Sequence, residues 1–145
     1  LEEKVINNRL GQLKKILDQQ RNIAHDDNLR SNYLNLDDRF HQCLCSFSMS
    51  DMPWKTIQSI KGQMDRIRFL SLEGVSPVNG ITDDHEEIYN YLQERDIENC
   101  KKAISTHLHQ IINVHQTIVQ KYKDWFTFDS LQAMSKRASQ EDDSL

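Results

Sequence analysis

Glycine and proline are scarce, 4 and 2 among 145 residues. That scarcity works against a sheet joined by many tight turns and favours long helices. Long apolar runs are missing too: none approaches the roughly 20 residues that span a bilayer, and no signal-peptide pattern opens the chain. Basic residues are not in excess, and a net charge of −4 argues against a nucleic-acid-binding surface on this chain. Cysteine is odd in number, at Cys43, Cys45 and Cys100, and Cys43 and Cys45 point to different helix faces. A disulfide framework is therefore not expected, and a reducing cytoplasm fits the composition. The length suits one domain with a sizeable core. The first residue is Leu1 and helix-like sequence begins at once, as expected of a fragment of something longer.

The stretch from Leu34 to Ser48 organises the rest. No Gly or Pro interrupts it, so it reads as a helix. Leu36, Phe47, Phe40, Tyr33, Leu44 and Leu34 form one apolar arc, and Asp37 and His41 fall inside that arc. Residues i and i+4 lie one above the other on a helix face, so a carboxylate and an imidazole are stacked in what should be core. A buried carboxylate needs a partner or a metal. Two readings stand: a hydrogen-bonded Asp–His pair inside a bundle, or half of a metal site, because imidazole nitrogen and carboxylate oxygen suit zinc, nickel and similar divalent ions.

Before this stretch, Ile6, Leu10, Leu13 and Leu17 repeat with helical spacing from Leu1 to about Ile23. His25-Asp26-Asp27-Asn28 reads as a polar turn with His25 solvated. The central helix is expected to run to about Ser50, and Ser50-Asp51-Met52-Pro53 reads as the start of the next. From Trp54 the expected core stripe is Ile57, Ile60, Met64 and Ile67, completed by Ser71. Arg68 projects toward the edge of that stripe and Arg66 almost opposite. Arg68 either snorkels outward or faces a cavity where it would hold a carboxylate bidentately. Gly74 to Gly80 is the one clear loop, with Thr82 or Asp83 capping the helix that follows. His85 lies in its first turn, ahead of Ile88, Tyr89 and Leu92. Asp84, Glu86 and Glu87 in the same turn are expected to be exposed.

Arg95-Asp96 marks a short break, with Asp96 as a cap. The last long helix spans about Ile97 to Tyr122, with Ala103, Val114, Cys100, Ile118, Ile111, Ile104, Leu108 and Val119 facing inward. His107 and His115 share that inward arc, and His109 lies on the polar side. His107 and His115 are eight residues apart, roughly 12 Å along a helix axis, too far for one metal ion. The tail 123–145 holds Trp125, Phe126 and Phe128, expected to dock on the bundle, then a short helix, with Ser139 to Leu145 frayed.

Three helices thus offer Asp37 and His41, His85, and His107, the way bundle cores build metal sites from facing side chains. The segment Asp37-x-x-Phe40-His41-x-x-Leu44 resembles the signature of the FCD domain. That domain is the C-terminal effector-binding part of FadR-type members of the GntR bacterial transcription regulators. The resemblance continues through Arg66-Ile-Arg68-Phe-Leu-Ser-Leu and the stretch from Asp84-His85 to Arg95-Asp96. It closes on Ala103-Ile-Ser-Thr-His107-Leu108, and it covers roughly Leu10 to Gln120. Each motif is short, and their order gives the match its specificity. Ser48-Met49-Ser50 stands where the family often has Ser-Gly-Asn, a change that bears on the pocket wall and on which acid binds. Asp84 stands where the residue before the third ligand is usually Glu.

The resemblance implies an all-α antiparallel helical bundle forming a single domain over 1–145, with a metal and ligand site in its core. Carried over by position, the metal ligands are Asp37, His41, His85 and His107, with Arg68 or Arg66 as the contact to a small carboxylic acid. The implied cofactor is a divalent transition metal, zinc or nickel before manganese. The family's regulators act as homodimers and carry a winged helix-turn-helix ahead of this domain. That module and the usual first effector-domain helix are expected to be absent here, so operator DNA would be reached only through the missing domain. The expected function is a cytoplasmic ligand sensor of transcription and not an enzyme. The alternatives are a metal-dependent hydrolase of a small substrate, or a metal-free structural or dimerisation bundle. Against the hydrolase, the His-Asp doublet of helical metal phosphohydrolases is missing: His41 is followed by Gln42 and His107 by Leu108.

Overall fold

Apolar residues at helical spacing, with few breakers between them, produce five long helices among the described residues. The computed structural model describes residues 2–23, 30–72 and 78–123, and no strand occurs among them. The elements are α1 (Glu3–Ile23), α2 (Arg30–Ser46), α3 (Met52–Ser71), α4 (Val78–Glu94) and α5 (Ile97–Lys121). None of them is long and apolar enough to cross a membrane. The side chains of Met64, Arg66, Ser71, Ile111, Val114 and His115 lie outside the described residues, as do His25 and the whole tail from 124.

α1 packs against α2 and α4, α2 also against α3, α3 against α5, and α5 against α4. The contacts close a ring in the order α1–α2–α3–α5–α4. Cross-links fix the directions. Cys43 meets Arg9 while Arg39 meets Gln19, so α1 and α2 run oppositely. Gln20 meets His85 while Glu3 meets Arg95, so α1 and α4 do likewise. Asp84 meets His107 while Ile88 meets Cys100, which sets α5 against α4. The short 47–51 connection folds α3 back on α2. A ring of five cannot alternate all the way round, and α3 beside α5 is the parallel pair.

The core cluster draws on α1, α2, α4 and α5: Leu13, Ile16, Leu17, Leu36, Phe40, Cys43, Ile88 and Cys100. All three cysteines are free thiols. α5 starts where expected, with the Asp96 carboxylate accepting from the Asn99 backbone N–H at 3.1 Å. The break before it is made by Arg95, held at φ 62°, in the left-handed region that terminates a helix.

Several boundaries and faces differ from the sequence expectation. α2 stops at Ser46 rather than near Ser50. The Ser46 and Ser48 hydroxyls donate back to the Cys43 and Cys45 carbonyls at 2.6 and 2.8 Å, and Met49 takes φ 61°; together they close off the helix end. α4 begins at Val78, so the loop does not extend to Gly80 and neither Thr82 nor Asp83 is a cap. Thr82 is instead fully buried, with its hydroxyl shared between the Tyr33 hydroxyl at 2.8 Å and the Val78 carbonyl at 3.0 Å. The expected α3 stripe is only half right. Ile67 is buried, whereas Ile60 is 61% exposed and Ile57 is exposed, because only the C-terminal half of α3 is covered. Leu70 is buried. Leu108 is half exposed rather than inward, since His107 takes the inward position at that level of α5.

Candidate metal centre

Asp37 and His41 stand one turn apart on the inner face of α2, His85 faces them from α4, and His107 from α5. The structure brings these four together: one donor atom from each lies within 4.8 Å of all the others. The Nε2 atoms of His85 and His107 are 3.1 Å apart, and those of His107 and His41 3.4 Å. Asp37 Oδ1 is 3.4 Å from His85 Nε2, and Asp37 Oδ2 is 3.9 Å from His41 Nε2. Asp37, His85 and His107 are buried. Phe40, one residue before His41, stacks flat on the His85 ring with centroids 4.0 Å apart and fixes its plane from the apolar side. Desolvation holds the His85 imidazole well below 6.5, with His41, His107 and Arg68 pushing the same way. Desolvation also lowers His41, against an opposing pull from Asp37.

The far nitrogens of two rings reveal where the near lone pairs point. His107 Nδ1 lies 3.2 Å from Asp84 Oδ2. A carboxylate oxygen only accepts, so Nδ1 carries the proton and Nε2 presents a lone pair inward. His85 Nδ1 lies 3.0 Å from the Gln20 side-chain oxygen; with the amide turned this way Nδ1 carries the proton and Nε2 presents a lone pair inward. In that arrangement the two Nε2 acceptors stand 3.1 Å apart and need a cation between them. A proton would serve that one pair. A divalent ion would serve all four donors, and three imidazoles with one carboxylate suit a first-row transition metal. Outer partners that fix a ligand's tautomer are the usual companions of metal-bound histidine. The donor set therefore fits a metal.

Beside the four lies a charged cluster on α2 and α3. Arg68 donates through Nη2 to Asp37 Oδ2 and through Nη1 to Asp38 at 3.0 Å and Asp65 at 2.7 Å. Lys61 bridges Asp38 and Asp65, each at 2.7 Å. Among the described residues, three carboxylates (Asp37, Asp38 and Asp65) face two cations (Lys61 and Arg68) there. Burial works against the Arg68 charge, but Asp37 and Asp38 more than offset it and its pKa is raised. The Arg68 side chain is 12% exposed, so it does not snorkel outward. The Arg66 side chain lies outside the described residues. His109 is exposed and bonds to the Ser105 carbonyl of its own helix.

Sequence reasoning missed two residues. Gln20 is fully buried and reaches His85 from α1. The spacing Leu10, Leu13, Leu17 extends to position 20, and an amide at the end of an apolar stripe was the available signal. Asp84 was expected to be exposed at a helix start; its side chain is 24% exposed and it holds His107. With Gln20 and Arg68 included, every helix of the ring sends a polar side chain to the centre.

A family model described as the FCD domain matches residues 7–110. The HTH-type transcriptional repressor RspR of Escherichia coli strain K12 is 35% identical over 116 residues, 80% of this chain and 50% of that protein. An HTH-type transcriptional regulator of Shigella flexneri, YdfH, matches with the same identity and coverage. An HTH-type regulator from an unstable DNA locus of Streptomyces ambofaciens is 32% identical over 99 residues, 68% of this chain and 42% of its own length. The chain spans about half the length of the curated relatives it matches. No solved structure matches it significantly.

Proposed function

This chain belongs to the FCD domain family, and we propose that it is the ligand-sensing domain of a GntR-type, FadR-subfamily transcription regulator. In this reading Asp37, His41, His85 and His107 hold one divalent metal ion, zinc or nickel before manganese, and a small organic acid binds beside it. The observation that carries the reading is the convergence of the four side chains, one donor atom of each within 4.8 Å of the others, with the Nε2 atoms of His85 and His107 3.1 Å apart. A bound ion would supply positive charge and open positions for a carboxylate. His41, with a side chain 20% exposed, is the most solvent-accessible of the four and marks the side from which an acid enters. Arg68 is the anion contact, sharing its guanidinium between Asp37 and the incoming carboxylate.

Regulation follows from differential affinity. An acid that pulls Arg68 from Asp37 favours one arrangement of α3 against α2 over another, and only that difference shifts the equilibrium. The relatives are named as HTH-type regulators, which supports operator binding through a further domain of the whole protein; in this reading that protein acts in the cytoplasm as a homodimer. A hydrolase would need a carboxylate free to move a proton beside the centre; Asp84, which borders it, is engaged by His107 Nδ1.

The reading is tested by thermal unfolding with a panel of small mono- and dicarboxylic acids, with and without stoichiometric zinc. At least one acid is expected to raise Tm in the zinc-loaded protein and to lose that effect after chelation or in Arg68→Met. An acid that stabilises both forms equally would place its site away from the centre.

A further inference from the structure

Gln20 is the one group that α1 sends to the centre, and half of its amide has no partner. As oriented here its oxygen accepts a hydrogen bond from His85 Nδ1 at 3.0 Å, while its fully buried Nε2 has no partner among the described residues. An orphaned buried donor is rare and costly. The other carboxamide orientation is nearly isosteric, and it changes the chemistry of the centre. Turned over, Nε2 would donate to His85 Nδ1, which must then be unprotonated. The His85 proton would sit on Nε2, aimed at His107 Nε2 3.1 Å away. That arrangement satisfies the orphaned donor and turns two opposed lone pairs into a hydrogen bond. It leaves only the amide oxygen unpaired, the less exceptional kind of orphan. The same arrangement removes the lone pair that a metal needs from His85.

We propose that Gln20 is a positioning residue whose amide donates to His85 in the metal-free bundle and turns over to accept from it when a divalent metal is bound. This rests on the metal reading of Asp37, His41, His85 and His107. The exchange is neutral: His85 gives up the Nε2 proton and takes one at Nδ1, through water, with no net uptake or release. A glutamine allows both tautomers, whereas a carboxylate at the same place would accept only. Asp84 plays that fixed role for His107, so the two histidines differ in kind. His107 is held ready, and His85 is switched. The switch is also felt on α1, because no other buried polar side chain belongs to that helix among the described residues.

The test is histidine-labelled 15N spectroscopy of two-bond nitrogen–proton couplings, which separates Nδ1–H from Nε2–H tautomers, on the wild-type chain without metal and with zinc. His85 is expected as Nε2–H in the metal-free protein and Nδ1–H when loaded, while His107 keeps Nδ1–H in both. Gln20→Glu is expected to hold His85 as Nδ1–H in both states. Gln20→Met is expected to weaken zinc binding by about 10–100-fold in chelator competition. An Nδ1–H tautomer at His85 in both wild-type states would overturn the switch even with zinc bound normally. Unchanged zinc affinity in Gln20→Met would overturn the positioning role. A wild-type chain that takes up no zinc would instead overturn the metal reading beneath it.

Discussion

His85 and Asp37 sit 3.4 Å apart in an interior where neither can rely on water, and each leans on a named partner. For Asp37 that partner is Arg68, with its side chain 12% exposed. Removing one member of a buried pair leaves an uncompensated charge, which costs about 3–5 kcal/mol. Arg68→Met should therefore lower the urea midpoint of the metal-free protein strongly, and much less once zinc is added. An equal loss in both states would contradict the placement of Asp37 at the metal. His85 and His41 set the response to acid. Desolvation depresses both in the folded state, and unfolding returns them to about 6.5. The unfolded chain then binds more protons, so this contribution is complete above about pH 6.5 and is lost as pH falls below it. Chelator-treated protein should show a lower urea midpoint at pH 5.5 than at pH 7.5; equal midpoints would contradict the burial of these rings. Asp37, His41 and His107 were legible because an acid or imidazole inside an apolar arc stands out on a helical wheel, and His85 by its place ahead of the apolar face of Ile88, Tyr89 and Leu92. Gln20 was not, because an uncharged amide in the run Asp18-Gln19-Gln20-Arg21 looks like solvated surface.

At the scale of elements, periodicity located all five helices, and what it could not locate was coverage. The α3 stripe is apolar along its length, yet among the described residues only Ile67, Leu70 and the following Leu72 are buried there. Spacing names a face, whereas burial depends on how far the neighbouring helices extend along it. Two substitutions of identical chemistry separate these. Ile67→Ala should cost about 2–5 kcal/mol, as a buried truncation does. Ile60→Ala, at a site 61% exposed, should stay within about 0.5 kcal/mol. Urea unfolding reads both, and similar losses at the two sites would mean that α3 is covered along its whole length. The start of α4 was misjudged for a related reason. Thr82 has the chemistry of a cap, but Tyr33 on α2 reaches its hydroxyl, a tertiary contact that no local pattern announces.

The whole molecule is a ring in which α1, α2, α3, α4 and α5 contribute Gln20, Asp37 with His41, Arg68, His85 and His107 to one place. A ligand bound there would reach every helix within one or two side chains, as the proposed sensing role requires. Binding to the folded state alone also stabilises it in proportion to ligand excess over the dissociation constant, so metal and fold are linked. The central claim is that the four converging donors hold a metal. It is tested most directly by elemental mass spectrometry on protein purified without chelator or metal-affinity resin, wild type beside His107→Ala. The account predicts about one transition-metal ion per chain in the wild type and a large loss in the variant. No metal in either protein, even after incubation with zinc, nickel and manganese, would contradict it and leave Asp37 and His41 as a buried hydrogen-bonded pair.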